Sequence, residues 1–147
     1  GVHAVEVEVD IGTGEVSFQN YVVVSDCGTL INPMIVDGQI TGGVVHGIGN
    51  ALFEWMGYDE HGQPLTTNFG EYLMPTATEL INLDLLYEHS PSPLNPLGVK
   101  GVGETGTVPA AAAIVSAVEH ALEPFGGRLN DYPVKPAKII EIVRAGS

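Results

Sequence analysis

The sequence predicts an α+β fold: a small mixed or antiparallel sheet packed with two main helices. Three observations carry that expectation. Residues 4–25 alternate apolar and polar with a Gly-Thr-Gly turn between two runs, which is the pattern of a hairpin. Ile40, Val44, Ile48 and Leu52 recur at helical spacing after an Asn-Pro start signal. An alanine-rich stretch from about Val108 to Leu122 ends at Pro124 and Gly126-Gly127.

The elements follow in order. Val5, Val7 and Val9 face one way and Glu6, Glu8 and Asp10 the other, giving a half-buried first strand. Gly12-Thr13-Gly14 turns the chain into a second strand, whose far end, Tyr21 to Val24, is apolar enough to be covered on both faces. Asn32 caps a helix that has Pro33 in its first turn, and Asp37 is expected to cap a continuation to about Trp55. Gly57 to Asn68 reads as a loop or short hairpin, and Glu71 to Met74 as a short strand before Pro75. Ile81, Leu83, Leu85 and Tyr87 give a third strand. Residues 90–98 hold three prolines and exclude helix and central strand. A glycine-rich loop, Gly98 to Gly106, leads to the alanine-rich helix, and Pro136 starts a last helix through Val143.

Composition narrows the function classes. The chain has 147 residues, five Lys and Arg against eighteen Asp and Glu, and a net charge of −13. A body this acidic repels phosphate backbones and anionic lipid, so nucleic acid and membrane surfaces are excluded as partners. No apolar run approaches the roughly 20 residues of a membrane span. The single Cys27 excludes an internal disulfide and a cysteine-cluster metal site, and agrees with a reducing, cytoplasmic setting. There is no initiator Met, and Gly1 leads straight into strand-like alternation, so residues 1–147 are expected to be one truncated domain of something larger.

The glycines cluster in two places. The first cluster, Gly38, Gly42, Gly43, Gly47 and Gly49, lies inside the predicted helix, where each glycine costs about 1 kcal/mol against alanine. Gln39, Gly42, Gly43, His46, Gly49 and Asn50 form a small or amide-bearing stripe. Another backbone or a flat ligand could approach that stripe to contact distance, with Gln39 offering a donor and an acceptor. Tight helix packing through the glycines is the plainer alternative, and His46 alone reads as a packed core histidine.

The second cluster is Gly98-Val99-Lys100-Gly101-Val102-Gly103-Glu104-Thr105-Gly106. Its G-x-G-x-x-G lacks the strand and immediate helix of a dinucleotide fingerprint, and Glu104 would face the pyrophosphate. What it offers is a lone carboxylate on nearly bare backbone, close to the predicted start of a helix whose dipole favours the ionised form. A structural glutamate answering that dipole is the alternative. The histidines show no metal-binding spacing, and no G-x-S-x-G elbow is present.

Three segments in this order, VVSDCGTLINP, VDGQITGGVVHGIGNALFE and NPLGVKGVGETG, resemble the C-terminal part of the molybdenum-binding large subunit of the xanthine dehydrogenase and aldehyde oxidase family. The aerobic carbon monoxide dehydrogenase branch is the nearest likeness. The resemblance runs from about Val2 to Val143. It implies that Glu104 is the base beside molybdenum, which in the family deprotonates a metal-bound hydroxyl. It also implies that Gln39, with Gly43 beside it, contacts the pterin, and that Lys100, Gly101, Val102, Gly103 and Thr105 supply backbone contacts near it. The cofactor implied is a molybdenum-pterin dinucleotide, in the cytosine form of the bacterial branch. The implied partners are the rest of the large subunit and iron–sulfur and FAD-binding subunits or domains that carry electrons away. The implied substrate is a small molecule: an aldehyde, an N-heterocycle or carbon monoxide. Cys27 matches a structural position rather than the copper-binding loop of carbon monoxide oxidation. On this reading the chain by itself is inactive and binds no molybdenum cofactor tightly. An acidic α+β interaction module, with glycines serving only packing, is the competing expectation.

Overall fold

The computed structural model describes residues 1–79 and 81–147. Its first two strands, β1 (Val2–Val9) and β2 (Val16–Ser25), form the expected antiparallel hairpin, with a register irregularity between Glu6 and Val7. Asp10 closes the turn by accepting the N–H groups of Gly12 and Thr13, and Gly14 takes the positive φ of 77°. The third strand, β3 (Asp84–Tyr87), lies beside β2 and runs parallel to it, so the sheet is mixed, in the order β1-β2-β3. Ile81 and Leu83 precede the strand rather than belonging to it. The Glu71 to Met74 segment forms no strand and is instead a series of turns and irregular backbone. Glu71 is used there as a loop clasp, accepting from the Thr67 N–H and the Asn68 amide.

Helix α1 (Pro33–Ile48) begins as its sequence signals require: the Asn32 side chain accepts the N–H of Ile35, and Pro33 occupies the first turn. Asp37 does not restart the helix. It sits within the first turns, where its carboxylate accepts the Tyr87 hydroxyl and ties α1 to the end of β3. The helix widens into a π turn over Gly49–Phe53 and ends before Trp55. Its buried ridge is Ile40, Val44 and Ile48, and this ridge continues to Leu52. His46 falls out of phase with that ridge and is exposed, contrary to the expectation of a core histidine.

Helix α2 (Ala110–Ala121) packs across β1 and α1 and buries Ala110, Ile114 and Val118. It starts two residues later than the sequence suggests, because Pro109 marks its N-terminal boundary. A short 3-10 turn over Glu123–Phe125 ends at Gly126 with φ 67°. Helix α3 (Pro136–Gly146) is a third helix beside the two main ones and contributes Ile139 to the core. The core lies between the inner face of the sheet, represented by Tyr21 and Val23, and the facing sides of α1 and α2.

The helix glycines divide by what a side chain would meet. A Cβ on Gly47 would stand 2.3 Å from the Cβ of Ala110, and one on Gly43 would stand 2.9 Å from the Gly106 backbone. Gly38 and Gly42 would meet nothing within 4 Å. Gly47→Val is therefore expected to force α1 from α2 and lower stability by about 1–3 kcal/mol, whereas Gly42→Ala should raise it by about 0.5–1 kcal/mol. Urea denaturation of the two variants beside the parent checks the opposite signs.

Candidate functional site

The Gly98–Gly106 loop is fastened at its start to the end of β2. Gly28 and Val99 form an antiparallel bridge, the Lys100 N–H donates to the Cys27 carbonyl at 2.8 Å, and the Thr29 N–H donates to the Gly98 carbonyl at 3.1 Å. Both glycines take positive φ, 69° at Gly28 and 68° at Gly98, and a Cβ on Gly28 would lie 2.1 Å from the Gly98 oxygen. Only glycine accommodates both the dihedral and the approach. Cys27 is buried at this junction and acts as a core residue.

Side chains add a second fastening there. The Lys100 ammonium pairs with Asp26 at 2.7 Å and reaches the Ser90 hydroxyl at 3.1 Å. Asp26 also accepts the N–H of Gly28 at 2.9 Å. The Lys100 hydrogen bond, then the Gly28 N–H, hold the Asp26 carboxyl down at about 2. The Lys100 side chain and its N–H are thus both committed to the protein.

At its other end the loop rests on α1. A Cβ on Gly106 would lie 2.3 Å from the Ile40 oxygen and 3.1 Å from the Gly43 Cα, so the loop and the helix meet backbone to backbone. One turn before Gly43 on α1, the Gln39 amide donates to the Gly103 carbonyl at 2.9 Å. Gln39, Gly43 and the loop residues Gly101 to Thr105 are thereby brought together, although Gln39 and Gly103 are 64 residues apart in sequence. Thr105 is held as well: its carbonyl lies 3.0 Å from Nε2 of His3 on β1. The contact was not anticipated, since a side chain reaching a carbonyl 102 residues away leaves no local pattern.

Glu104 stands exposed between these two held peptides. It lies further from α2 than the sequence suggested, since the helix begins at Ala110 rather than Val108. Its carbonyl instead accepts the N–H groups of Thr107 and Val108, opening a separate turn six residues before the helix. The dipole of α2 therefore does not act on it at close range. Beside it, Gly101 and Gly103 have no atom within 4 Å of where a Cβ would be, and the same is true of Gly38 and Gly42 next to Gln39. Val102 is half-buried against the core cluster. The surface around Gln39 and Glu104 is thus open main chain with one amide and one carboxylate. An apolar cleft of about 570 Å³ near the hairpin turn, lined by Val16, Phe18, Leu52 and Phe53 among others, involves neither residue. Among the described residues, no three His, Cys, Asp or Glu side chains are grouped to hold a metal ion. No helix among them is long and apolar enough to cross a membrane.

The fold that carries these residues is shared with known proteins. Residues 1–81 match the family described as the molybdopterin cofactor-binding domain, and the chain belongs to that family. It is 44% identical over 144 residues to the nicotine 6-hydroxylase large subunit of Paenarthrobacter nicotinovorans, covering 98% of this chain and 18% of that protein. It is 38% identical over 124 residues to the carbon monoxide dehydrogenase large chain of Hydrogenophaga pseudoflava, covering 82% of this chain and 15% of that one. The crystal structure of quinoline 2-oxidoreductase from Pseudomonas putida 86 superposes with a TM-score of 0.93 at 40% identity, over 97% of this chain and 18% of that one. The chain thus spans less than a fifth of the length of these molybdenum-family oxidoreductases. The expected family and fold class are both found.

The Asp26 clasp has a pH signature. Its carboxyl is held near 2 in the fold against an ordinary value of 3.8, so its contribution is complete above about pH 4 and is lost as pH falls toward 2. Asp26→Asn should lower the urea midpoint at neutral pH and flatten its fall between pH 4 and 2 relative to the parent. An unchanged profile would show that the clasp contributes nothing.

Proposed function

We propose that this chain forms one wall of the pterin site in the large subunit of a molybdenum hydroxylase and supplies its base, Glu104. The observation that carries this reading is the Gln39–Gly103 hydrogen bond, which sets Glu104 beside a helix face left bare at Gly38 and Gly42. Packing accounts for Gly43 and Gly47, whose Cβ positions are occupied. It does not account for two further helix glycines that touch nothing and together destabilise α1 by roughly 1–2 kcal/mol. A face kept bare at that cost fits a planar guest better than an interaction module whose glycines serve only packing.

The residues present suit a pterin. Open main chain at Gly42, Gly101 and Gly103 would admit a flat ring, and Gln39 would offer it the remaining donor and acceptor capacity of its amide. Gly43, Lys100, Val102 and Thr105 act through the backbone they hold in place. The bound cofactor supplies the redox chemistry and the transferred oxygen. Glu104 supplies proton transfer: an exposed carboxylate with no neighbouring bulk, positioned from both sides, takes a proton from the reacting group. The dinucleotide is proposed to be the cytosine form. Electrons leave to iron–sulfur and FAD-binding partners, and the remainder of the large subunit closes the site in a reducing, cytoplasmic setting. The relatives of 44% and 40% identity are named for nicotine and quinoline, which favours an N-heterocycle over an aldehyde or carbon monoxide as the substrate class.

In the full-length holoenzyme, Glu104→Gln should lower turnover by at least about a hundredfold while molybdenum and pterin contents stay at the parent level. Turnover that survives the substitution would refute the role of Glu104. The 147-residue chain produced alone, in cells that make the cofactor, is expected to carry no stoichiometric molybdenum by elemental analysis. A one-to-one content would show that this wall suffices to hold the cofactor.

A further inference from the structure

Glu104 lies between two peptide carbonyls, and each is gripped by a side chain from a different element. Gln39 of α1 holds the Gly103 carbonyl at 2.9 Å, and His3 of β1 meets the Thr105 carbonyl at 3.0 Å. We propose that His3 is a positioning residue for Glu104, acting through the Thr105 carbonyl and fixed in turn by the Tyr21 hydroxyl. This rests on the reading of Glu104 as the base.

The geometry assigns the protons. A carbonyl only accepts, so Nε2 of His3 must carry the hydrogen that it donates to Thr105. In the neutral ring Nδ1 is then an acceptor, and it lies 2.9 Å from the Tyr21 oxygen, whose hydroxyl donates to it. The chain of bonds therefore runs in one direction, from Tyr21 O–H to Nδ1 and from Nε2–H to the Thr105 carbonyl. Tyr21 is 2% exposed, and its ring meets the imidazole edge-on with centroids 5.6 Å apart. The imidazole is thus held by a core side chain rather than by solvent. Burial lowers the His3 pKa from its ordinary value, with the Thr105 bond acting in the opposite sense, in keeping with the neutral ring that this bonding requires. With the Gly103–Glu104 peptide held on one side and the Thr105–Gly106 peptide on the other, the Glu104 Cα has little freedom to drift, and small displacements of a reacting group have large effects on rate.

The test is made in the full-length holoenzyme with His3→Phe, which keeps a ring but loses both bonds, and with Tyr21→Phe, which keeps the imidazole and removes only the hydroxyl. His3→Phe is expected to lower kcat by about tenfold to a hundredfold with KM and molybdenum content unchanged. Hydrogen exchange should quicken in peptides covering residues 101–106, while the β1–β2 hairpin and α2 keep their protection. Tyr21→Phe should move both readouts in the same direction by less, and it decides the matter if His3→Phe fails to assemble. Parent-like kcat and exchange in the variant that assembles overturn the proposal. So does faster exchange spread through β1 and β2 with loss of molybdenum, the result of a purely structural role. Glu104→Gln in parallel separates the two ideas. If it retains turnover, the base assignment falls whatever His3 does; if it is inactive while His3→Phe is normal, only the positioning role falls.

Discussion

The contact on which the rest depends is the meeting of two backbones, Gly43 on α1 and Gly106 at the end of the loop. A methyl group on either glycine would fall inside the van der Waals envelope of the other segment, at 2.9 Å and 2.3 Å from main-chain atoms. Because neither carries one, the loop lies flush on the helix, and Gln39, one turn earlier, is within reach of Gly103. The close approach at Gly28 and Gly98 does the same for the other end of the loop. A carboxylate that would be loosely held on a free glycine-rich segment is thereby presented from a loop fastened at its start, at its end and on either side of the glutamate.

Two kinds of glycine share one helix, and they answer to different constraints. Gly43 and Gly47 replace side chains with contact, so the packing of the loop and of α2 offsets their intrinsic cost. Gly38 and Gly42 gain no such contact, and a helix made for stability alone would carry alanine at both. The same division runs through the loop: Gly98 and Gly106 touch neighbours, whereas Gly101 and Gly103 face open space. The open glycines of α1 and of the loop lie close to Gln39 and Glu104, whereas Gly62 and Gly126, which also meet nothing, take positive φ at turns elsewhere.

Much of this was legible from local pattern. The hairpin, the Asn32 cap, the buried ridge of α1 and the proline-broken approach to the loop are all short-range signals, and the structure contains each. Strand direction was less legible, since the alternation at 81–87 is the same whether β3 runs parallel or antiparallel to β2. Glu71 to Met74 has the composition of a strand, but Glu71 is occupied as a clasp for the preceding turn. His46 reads as a core residue only until the phase of the helix is known. The grip of His3 on Thr105 joins segments 102 residues apart, and nothing in either segment announces it.

The most direct measurement is a crystal structure of the full-length holoenzyme with molybdenum located by its anomalous scattering. Metal density next to the Glu104 carboxylate, with the pterin ring against Gly42 and the Gln39 amide, is the expected result. A metal remote from Glu104, or a pterin seated on another face of α1, would contradict the assignment of this surface as the cofactor wall.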